Sequence, residues 1–190
     1  LEKEISDKTK AVCFVNFSGY TGPSLIEVSN ICRDYSLILI EDASCALGQV
    51  FDGQPAGTFG DLGVYSFSVP KIVTTGQGGA IVSRNKDFYE KALKYTDHGD
   101  LDWRETNRHI NIGTNLRFTD MAASLGLAQF HELDCLIQRK KRVHQALLGV
   151  LGEKLFSIPG EGTPLHNILL SPDSSRLVEL LRAQKIMAAR

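Results

Sequence analysis

One lysine stands at a point in the chain where a side-chain amine could do chemistry. Lys71 follows Pro70 and an apolar, strand-like segment at 62–67, and a glycine-rich turn at 76–79 comes shortly after it. A lysine amine forms a Schiff base with an aldehyde, and loops at strand ends commonly carry functional groups. Most lysines are solvated surface charges, so the position of Lys71 leaves an inert surface lysine as the alternative.

Acidic residues close a second apolar segment. Residues 37–40 are predicted to form a strand covered on both faces, and Glu41 and Asp42 follow directly. Because ligands of open α/β sheets bind outside the carboxyl ends of the strands, Asp42 is a candidate ligand-binding carboxylate. The alternative is a helix cap or a solvated loop acid. Ser66 lies near the end of the strand before Lys71, where its hydroxyl could donate to a phosphate oxygen or only satisfy the strand end.

Several other kinds of site find no support in the sequence. The turn at 76–79 matches neither a P-loop nor the dinucleotide fingerprint, and no Gly-x-Ser-x-Gly elbow occurs. The five histidines are scattered without metal-ligand spacing, which predicts structural or substrate-facing roles and no metal site. The four cysteines form no Cys-x-x-Cys pair, which favours reduced thiols and a cytoplasmic protein.

The composition excludes some classes of partner. The 190 residues suffice for one core or a little more, and 43% hydrophobic with 23% charged residues is typical of a soluble globular domain. A net charge of -1 argues against nucleic acid as a partner. No apolar run is long enough to cross a membrane, and no signal-peptide pattern opens the chain. The chain begins at Leu1 and not at Met, so we expect a partial segment of a longer protein.

The elements that position these residues alternate in type through the first half of the chain. A capping box of Ser24 and Glu27 predicts a helix to about residue 35, which with its flanking strands makes a parallel crossover unit. Asp87 is predicted to cap a later helix that runs to about residue 95. The predicted strands are 11–17, 37–40, 62–67 and 80–83.

The second half of the chain is predicted to be mostly helical. The polar, aperiodic segment at 96–111 is expected to be a functional loop, and Thr119 to cap an almost wholly apolar helix that is buried. A long amphipathic helix at 133–152 is expected to link two domains, followed by a short strand at 168–170 and a helix at 174–184. The predicted boundaries are 1–132 for part of a large domain, 133–152 for the linking helix and 153–190 for part of a C-terminal small domain.

Three motifs together resemble the DegT/DnrJ-type sugar aminotransferases, a branch of the fold-type-I pyridoxal-phosphate enzymes. They lie at 40–48, at 57–79 around Lys71, and at 113–129, and the resemblance runs from about residue 8 to residue 150. It implies an α/β fold, a three-layer α/β/α arrangement with a mostly parallel sheet. This would be part of the cofactor-binding large domain, followed by the start of a small α+β domain.

The resemblance assigns roles to individual residues. Lys71 matches the lysine that forms a Schiff base with pyridoxal 5'-phosphate and then moves a proton, and Asp42 matches the carboxylate that pairs with the pyridine nitrogen. Ser66 matches a phosphate-binding hydroxyl. Cys45 stands beside the ring, where the family usually has Gln or His. Asn115 matches a residue that reaches the cofactor phosphate of the partner subunit, which implies a homodimer with shared sites.

The activity implied by the resemblance is transamination. Glutamate would donate the amine to the cofactor, and a keto sugar carried on a nucleotide diphosphate would accept it. Two alternatives stay open. Some family members are dehydratases that carry His at the lysine position, against which Lys71 argues. The chain could also be a catalytically silent or truncated relative with a binding role, because it carries Cys45, it has Ser68 where the family usually has His, and segments at both ends of the family's pattern are missing.

Overall fold

A computed structural model describes residues 1–99, 111–158, 164 and 166–189 of the chain. Strand β1 (Ala11–Val15), helix α1 (Pro23–Asp34) and strand β2 (Ile38–Asp42) form the predicted parallel crossover unit. One face of α1 buries Leu25 and Cys32 against Leu39 of β2. This small apolar core holds α1 against β2 and so fixes the orientation of the last residues of β2.

In the described ranges, the main sheet has four strands, of which three run parallel. After a short antiparallel hairpin, β3 (Val50–Phe51) with β4 (Gln54–Pro55), the chain forms β5 (Leu62–Ser66) and β6 (Gly79–Val82). The strand order is β1-β2-β5-β6; β5 is parallel to β2, and β6 is antiparallel to β5. The predicted α/β fold with a mostly parallel sheet is therefore confirmed, and the hairpin was not foreseen.

Among the described residues, four further helices follow the sheet. They are α2 (Lys86–Thr96), α3 (Asp120–Phe130), α4 (Leu133–Leu151) and α5 (Ser174–Ala183). None of the helices in the described part of the chain is both long enough and apolar enough to span a membrane. Most of the predicted loop at 96–111, namely residues 100–110, lies outside the described residues.

The prediction that α3 is buried is wrong for the chain by itself. Met121, Leu125 and Leu127 are 79%, 58% and 63% exposed, and Gly126 is the buried residue of this helix. Thr119 does cap α3, since its side chain accepts a hydrogen bond from the backbone N–H of Ala122 at 3.2 Å. Exposed apolar side chains on a helix need a second surface that covers them.

The segment after α4 is joined to the beginning of the sheet. The Tyr20 hydroxyl donates to the carbonyl of Phe156 at 2.9 Å, and the Ser18 hydroxyl donates to the carbonyl of His166 at 3.0 Å. In place of the predicted strand at 168–170, the structure has a single bridge between Leu155 and Leu169. The domain boundaries at 132 and 152 stay predictions, although α4 ends close to the predicted second boundary.

Candidate active site

The ends of two neighbouring parallel strands bring Asp42 and Ser66 to one edge of the sheet. Asp42 is the last residue of β2 and pairs with Val64 of β5. Side chains alternate along a strand, so Ser66, two residues beyond Val64 and last in β5, lies on the same face as Asp42. Both side chains are half-buried. The predicted strand-end positions of these two residues are confirmed.

Lys71 lies in a loop whose ends are fastened to β5. The Phe67 N–H donates to the Gly78 carbonyl at 2.8 Å, and the Thr75 N–H donates to the Phe67 carbonyl at 2.9 Å. Within the loop, the Lys71 N–H donates to the Ser68 carbonyl at 3.0 Å, which makes a tight turn just before the lysine side chain. The loop therefore holds the lysine backbone at the same sheet edge as Ser66.

The amine of Lys71 reaches the turn that follows Asp42. Its Nζ atom donates to the Sγ atom of Cys45 at 3.0 Å. The Asp42 side chain shapes that turn, because its Oδ1 atom accepts from the Ser44 N–H at 2.9 Å and also contacts the Ser44 hydroxyl. Three predicted site residues, Asp42, Cys45 and Lys71, thus belong to one cluster.

The Asp42 carboxylate keeps one oxygen for a ligand. All its hydrogen bonds with described residues are made by Oδ1, and no described residue donates to Oδ2. Such an oxygen can accept a proton or a hydrogen bond from a ligand. Two hydroxyls lie at and just beyond the end of the neighbouring strand β5. Ser66 donates to Ser68 at 3.1 Å between their Oγ atoms, and the Ser68 N–H donates to the Ser66 hydroxyl at 3.3 Å.

Asn115 lies outside this cluster. It forms an isolated bridge with Asp97, and its Oδ1 atom accepts from the Arg117 N–H at 3.5 Å. Its side chain is exposed, and among the described residues no contact joins it to Asp42 or Lys71. This position is consistent with the predicted role toward a second subunit, and that role stays a prediction.

A buried carboxylate next to Asp42 was not singled out from the sequence. Glu41 is 0% exposed and accepts hydrogen bonds from the Asn16 amide and the Phe59 N–H, both at 2.9 Å, and from the Gly57 N–H. Gly63 of β5 lets this loop approach, because a Cβ atom there would lie 1.8 Å from the Gly57 carbonyl oxygen. Glu41 thus fastens β2 to its surroundings. The sequence signal that could have identified Glu41 as buried is the alternation of side chains between the two faces of β2.

Glu41 also affects a neighbouring phenol. The hydroxyl of Tyr65 donates to the Ala56 carbonyl beneath the same loop. Burial, and secondly the charge of Glu41, raise the pKa of Tyr65 above its ordinary value. Tyr65 therefore stays protonated as a hydrogen-bond donor in the wall of this region.

A second residue that sequence reasoning did not assign is Gln129 of α3. Its Oε1 atom accepts from the Thr74 N–H at 3.0 Å, and its Nε2 atom donates to the Thr74 carbonyl at 2.6 Å. Gly126 of α3 also lies against the loop, since a Cβ atom there would be 3.1 Å from the Thr75 methyl group. Gln129 is the last residue of the motif at 113–129, but only the structure shows that it holds the Lys71 loop.

Among the described residues, no group of His, Cys, Asp and Glu side chains could hold a metal ion. His144 is buried in α4 and its Nδ1 atom lies 2.8 Å from the Asn167 Oδ1 atom, so it has a structural partner. The described groups of the site are the Lys71 amine, the Asp42 carboxylate, the Cys45 thiol and the serine hydroxyls.

The α/β sheet carries an amine, a carboxylate and hydroxyls at its carboxyl edge, and proteins with a similar sequence and fold are known. The sequence profile of the DegT/DnrJ/EryC1/StrS aminotransferase family matches residues 1–183. The chain belongs to this family.

Individual relatives agree with that assignment. The chain is 30% identical, over 191 aligned positions, to the UDP-4-amino-4,6-dideoxy-N-acetyl-β-L-altrosamine transaminase of Helicobacter pylori, covering 100% of this chain and 49% of that protein. It is 34% identical over 143 residues to the GDP-perosamine synthase of Escherichia coli O157:H7, covering 75% of this chain and 39% of that protein.

A solved structure shares the fold. The GDP-4-keto-6-deoxy-D-mannose-3-dehydratase of Escherichia coli, with bound hydrated PLP, matches with a TM-score of 0.85 over 98% of this chain and 54% of that chain, at 24% identity. At this identity the likeness concerns the fold alone. The chain spans about half the length, or less, of these three proteins.

Proposed function

We propose that this protein is a pyridoxal-phosphate-dependent aminotransferase that transfers the amine of glutamate to a nucleotide-linked keto sugar. One observation carries the proposal: the Lys71 amine lies 3.0 Å from the sulfur of Cys45, in the turn that directly follows Asp42. A reactive amine and a carboxylate held at the carboxyl edge of one sheet are the two groups that this cofactor requires.

The residues present fit the cofactor. Lys71 would hold its aldehyde carbon, and the Ser66 and Ser68 hydroxyls would donate to its phosphate. The Oδ2 atom of Asp42, to which no described residue donates, would accept a hydrogen bond from the protonated ring nitrogen. Cys45 would stand beside the ring. Each of these groups has a hydrogen-bonding capacity that the described protein groups do not exhaust.

The bound cofactor would supply an electron-withdrawing ring that stabilises negative charge on the substrate carbon. The Asp42 carboxylate favours the protonated ring nitrogen, because an opposite charge at close range stabilises a cation. The Lys71 amine, once released, would move a proton to and from the substrate carbon as a general base and acid. The hydrogen bonds of the 67–78 segment would keep that amine in place during the transfer.

The substrate class is supported by the names of the relatives. Both relatives, the transaminase and the perosamine synthase, carry names that refer to nucleotide-linked amino sugars. Lys71 favours transamination over the dehydratase activity of the structural relative, since the resemblance describes those enzymes as carrying His at this position. Glutamate as amino donor rests on the resemblance alone.

The exposed apolar surface supports a homodimer. Ile112, Leu116 and Phe118 are exposed around Asn115, and the apolar side chains of α3 continue the same stretch of chain. Large apolar side chains that the described residues leave exposed are typical of an interface between subunits. Asn115 would then face the phosphate site of the partner subunit.

A cytoplasmic location is supported by the thiols. Cys13, Cys32, Cys45 and Cys135 are all free, and reduced cysteines are usual in that compartment.

The proposal is tested by spectroscopy of the purified protein with added cofactor. We expect a visible absorption band from cofactor joined to lysine, which glutamate converts to the spectrum of the amine form. Lys71→Ala should abolish the band, whereas Lys91→Ala, at an exposed lysine of α2, should leave it intact. An unchanged spectrum in Lys71→Ala would refute the lysine assignment. A band without conversion by glutamate would indicate a silent relative.

A further inference from the structure

A cleft with basic walls adjoins Lys71. It lies between the loop at 70–72, one face of α4 and residues 166–167, and its volume is about 390 Å³. The α4 residues that line it are Leu136, Arg139, Lys140 and Val143. Their spacing of three, four and seven residues places them on one side of the helix. The cleft therefore joins a single helix face to the loop that carries the reactive amine.

Among the described residues that line this cleft, every ionisable group is a base. Arg139 and Lys140 come from α4, Lys71 from the loop, and His166 from the segment after α4; no carboxylate is among the described lining residues. Arg139 forms no salt bridge with any described carboxylate. Because like charges repel, this arrangement is stabilised when an anion enters it.

His166 responds to these charges. Its pKa is lowered from the ordinary value, firstly by burial and then by the positive charges of Lys140 and Lys71. The imidazole is therefore mostly neutral near pH 7 and can donate one hydrogen bond without adding a further repulsive charge.

We propose that the cleft binds an anionic group of a substrate and so presents the remainder of that substrate to Lys71. This inference rests on the proposed function, which provides two candidate anions: a carboxylate of the amino donor and the diphosphate of the nucleotide sugar. Both offer clustered oxygens that accept charge-assisted hydrogen bonds from Arg139 and Lys140. The site assigned here is formed by α4 and the lysine loop together.

Binding is measured by calorimetry with two probes, inorganic pyrophosphate for the diphosphate and glutarate for the dicarboxylate donor. The double variant Arg139→Gln/Lys140→Gln removes the helix charges of the cleft. Lys141→Gln/Arg142→Gln removes the same charge from the next two positions of α4, which do not line it. We expect the first variant to weaken binding of at least one probe by about tenfold or more, and the control to change it by less than about twofold.

The two probes identify the source of the anion. Loss of pyrophosphate binding assigns the cleft to the nucleotide sugar, and loss of glutarate binding assigns it to the donor. In the same experiment, the pKa of His166, followed by NMR, should rise when the effective probe binds, because a nearby anion favours the imidazolium. Equal binding of both probes by wild type and the cleft variant, or no binding by wild type, would overturn the proposal.

The test separates this inference from the proposed function. Calorimetry of pyrophosphate or glutarate needs neither cofactor nor turnover, so its result does not depend on the absorption band of Lys71. If wild type shows the band and the glutamate conversion while the cleft variant binds both probes normally, the anion cleft is wrong and the function stands. If the probes bind but no band forms, the proposed function is wrong, and the cleft stands as an anion site without the role of presenting a substrate to Lys71.

Discussion

Glu41 and Asp42 are neighbours in sequence but lie on opposite faces of β2 because side chains alternate along a strand. Glu41 points into the buried loop region, where three backbone or amide N–H groups satisfy it. Asp42 points to the face that carries Ser66, and no described residue donates to its Oδ2 atom. The two adjacent carboxylates thus have separate roles: Glu41 stabilises the fold, and Asp42 takes part in the proposed chemistry.

This division predicts different outcomes for two isosteric substitutions. Asp42→Asn should slow the glutamate half-reaction by about a hundredfold, because loss of the anion lowers the pKa of the bound ring nitrogen by one to three units, with little change in melting temperature. Glu41→Gln should instead lower the free energy of unfolding by about 1–3 kcal/mol, because it loses a charged acceptor for buried donors. Stopped-flow absorbance and denaturant unfolding measure the two effects.

The opposite pattern would contradict this assignment. If Asp42→Asn unfolds the protein while leaving the rate per folded molecule unchanged, Asp42 has a structural role. If Glu41→Gln slows the reaction without affecting stability, the open carboxylate has been assigned to the wrong residue.

The residues at the strand ends could be located from the sequence, but the residues that they contact could not. Asp42, Ser66 and Lys71 each follow an apolar run, which is a local signal. The contact between Lys71 and Cys45 joins residues 26 positions apart, and the Glu41 bond to Asn16 joins residues 25 apart. Such contacts depend on strand order, which periodicity alone does not specify.

Helix α3 and the loop that carries Lys71 are joined by hydrogen bonds and close packing. Gln129 makes hydrogen bonds to both the N–H and the carbonyl of Thr74, three residues beyond Lys71. The close approach of Gly126 to Thr75 allows the helix to pack at this distance. Whatever displaces α3 would therefore displace the backbone that carries the reactive amine.

Gln129→Ala should loosen the loop without unfolding the protein. The Thr74 amide loses its acceptor, so we expect its hydrogen exchange to accelerate by about tenfold or more, and the glutamate half-reaction to slow because the Lys71 amine is held less firmly. Gln138→Ala, at an exposed glutamine of α4, is the control. Unchanged exchange at Thr74 in Gln129→Ala would show that the side-chain contact does not restrain the loop.

The helices were predicted more reliably than their starts. The capping box of Ser24 and Glu27 predicted α1, yet the helix begins at Pro23, and its N-cap Gly22 makes no side-chain bond. Proline is preorganised for the first helical turn, which explains the earlier start. For α2 the cap is Asn85, whose side chain accepts from the Asp87 and Phe88 N–H groups, and not Asp87. Several residues near a helix start can cap it, and only backbone geometry selects one.

The described part of the molecule leaves large apolar side chains exposed on both sides of Asn115 in the sequence. Ile112 is 91% exposed and Met121 is 79% exposed, and Asn115 lies between them in sequence. The sequence predicted a buried α3 from its apolar composition, and the error has a physical reason: composition reports that a surface is covered, but not by what. A second subunit would provide the cover.

Shared sites predict that two inactive variants restore each other. Lys71→Ala lacks the amine of its own site, and Asn115→Ala lacks a group that would act in the site of the partner subunit. Mixed and reassembled in equal amounts, half of the dimers would be hybrids with one intact site each, so we expect about a quarter of wild-type transamination. Lys71→Ala mixed with Asp42→Ala, whose defects lie in the same subunit's site, is the matched control and should recover nothing. Failure of the first mixture, with hybrid dimers verified by native mass spectrometry after isotope labelling of one variant, would contradict the placement of Asn115.

The central claim is that the Lys71 amine forms the covalent bond to pyridoxal phosphate. It is tested most directly by reducing the protein–cofactor complex with borohydride and mapping the pyridoxyl group by peptide mass spectrometry. The account predicts one modified peptide, with the group on Lys71. Modification of a different lysine, or of none, would contradict it.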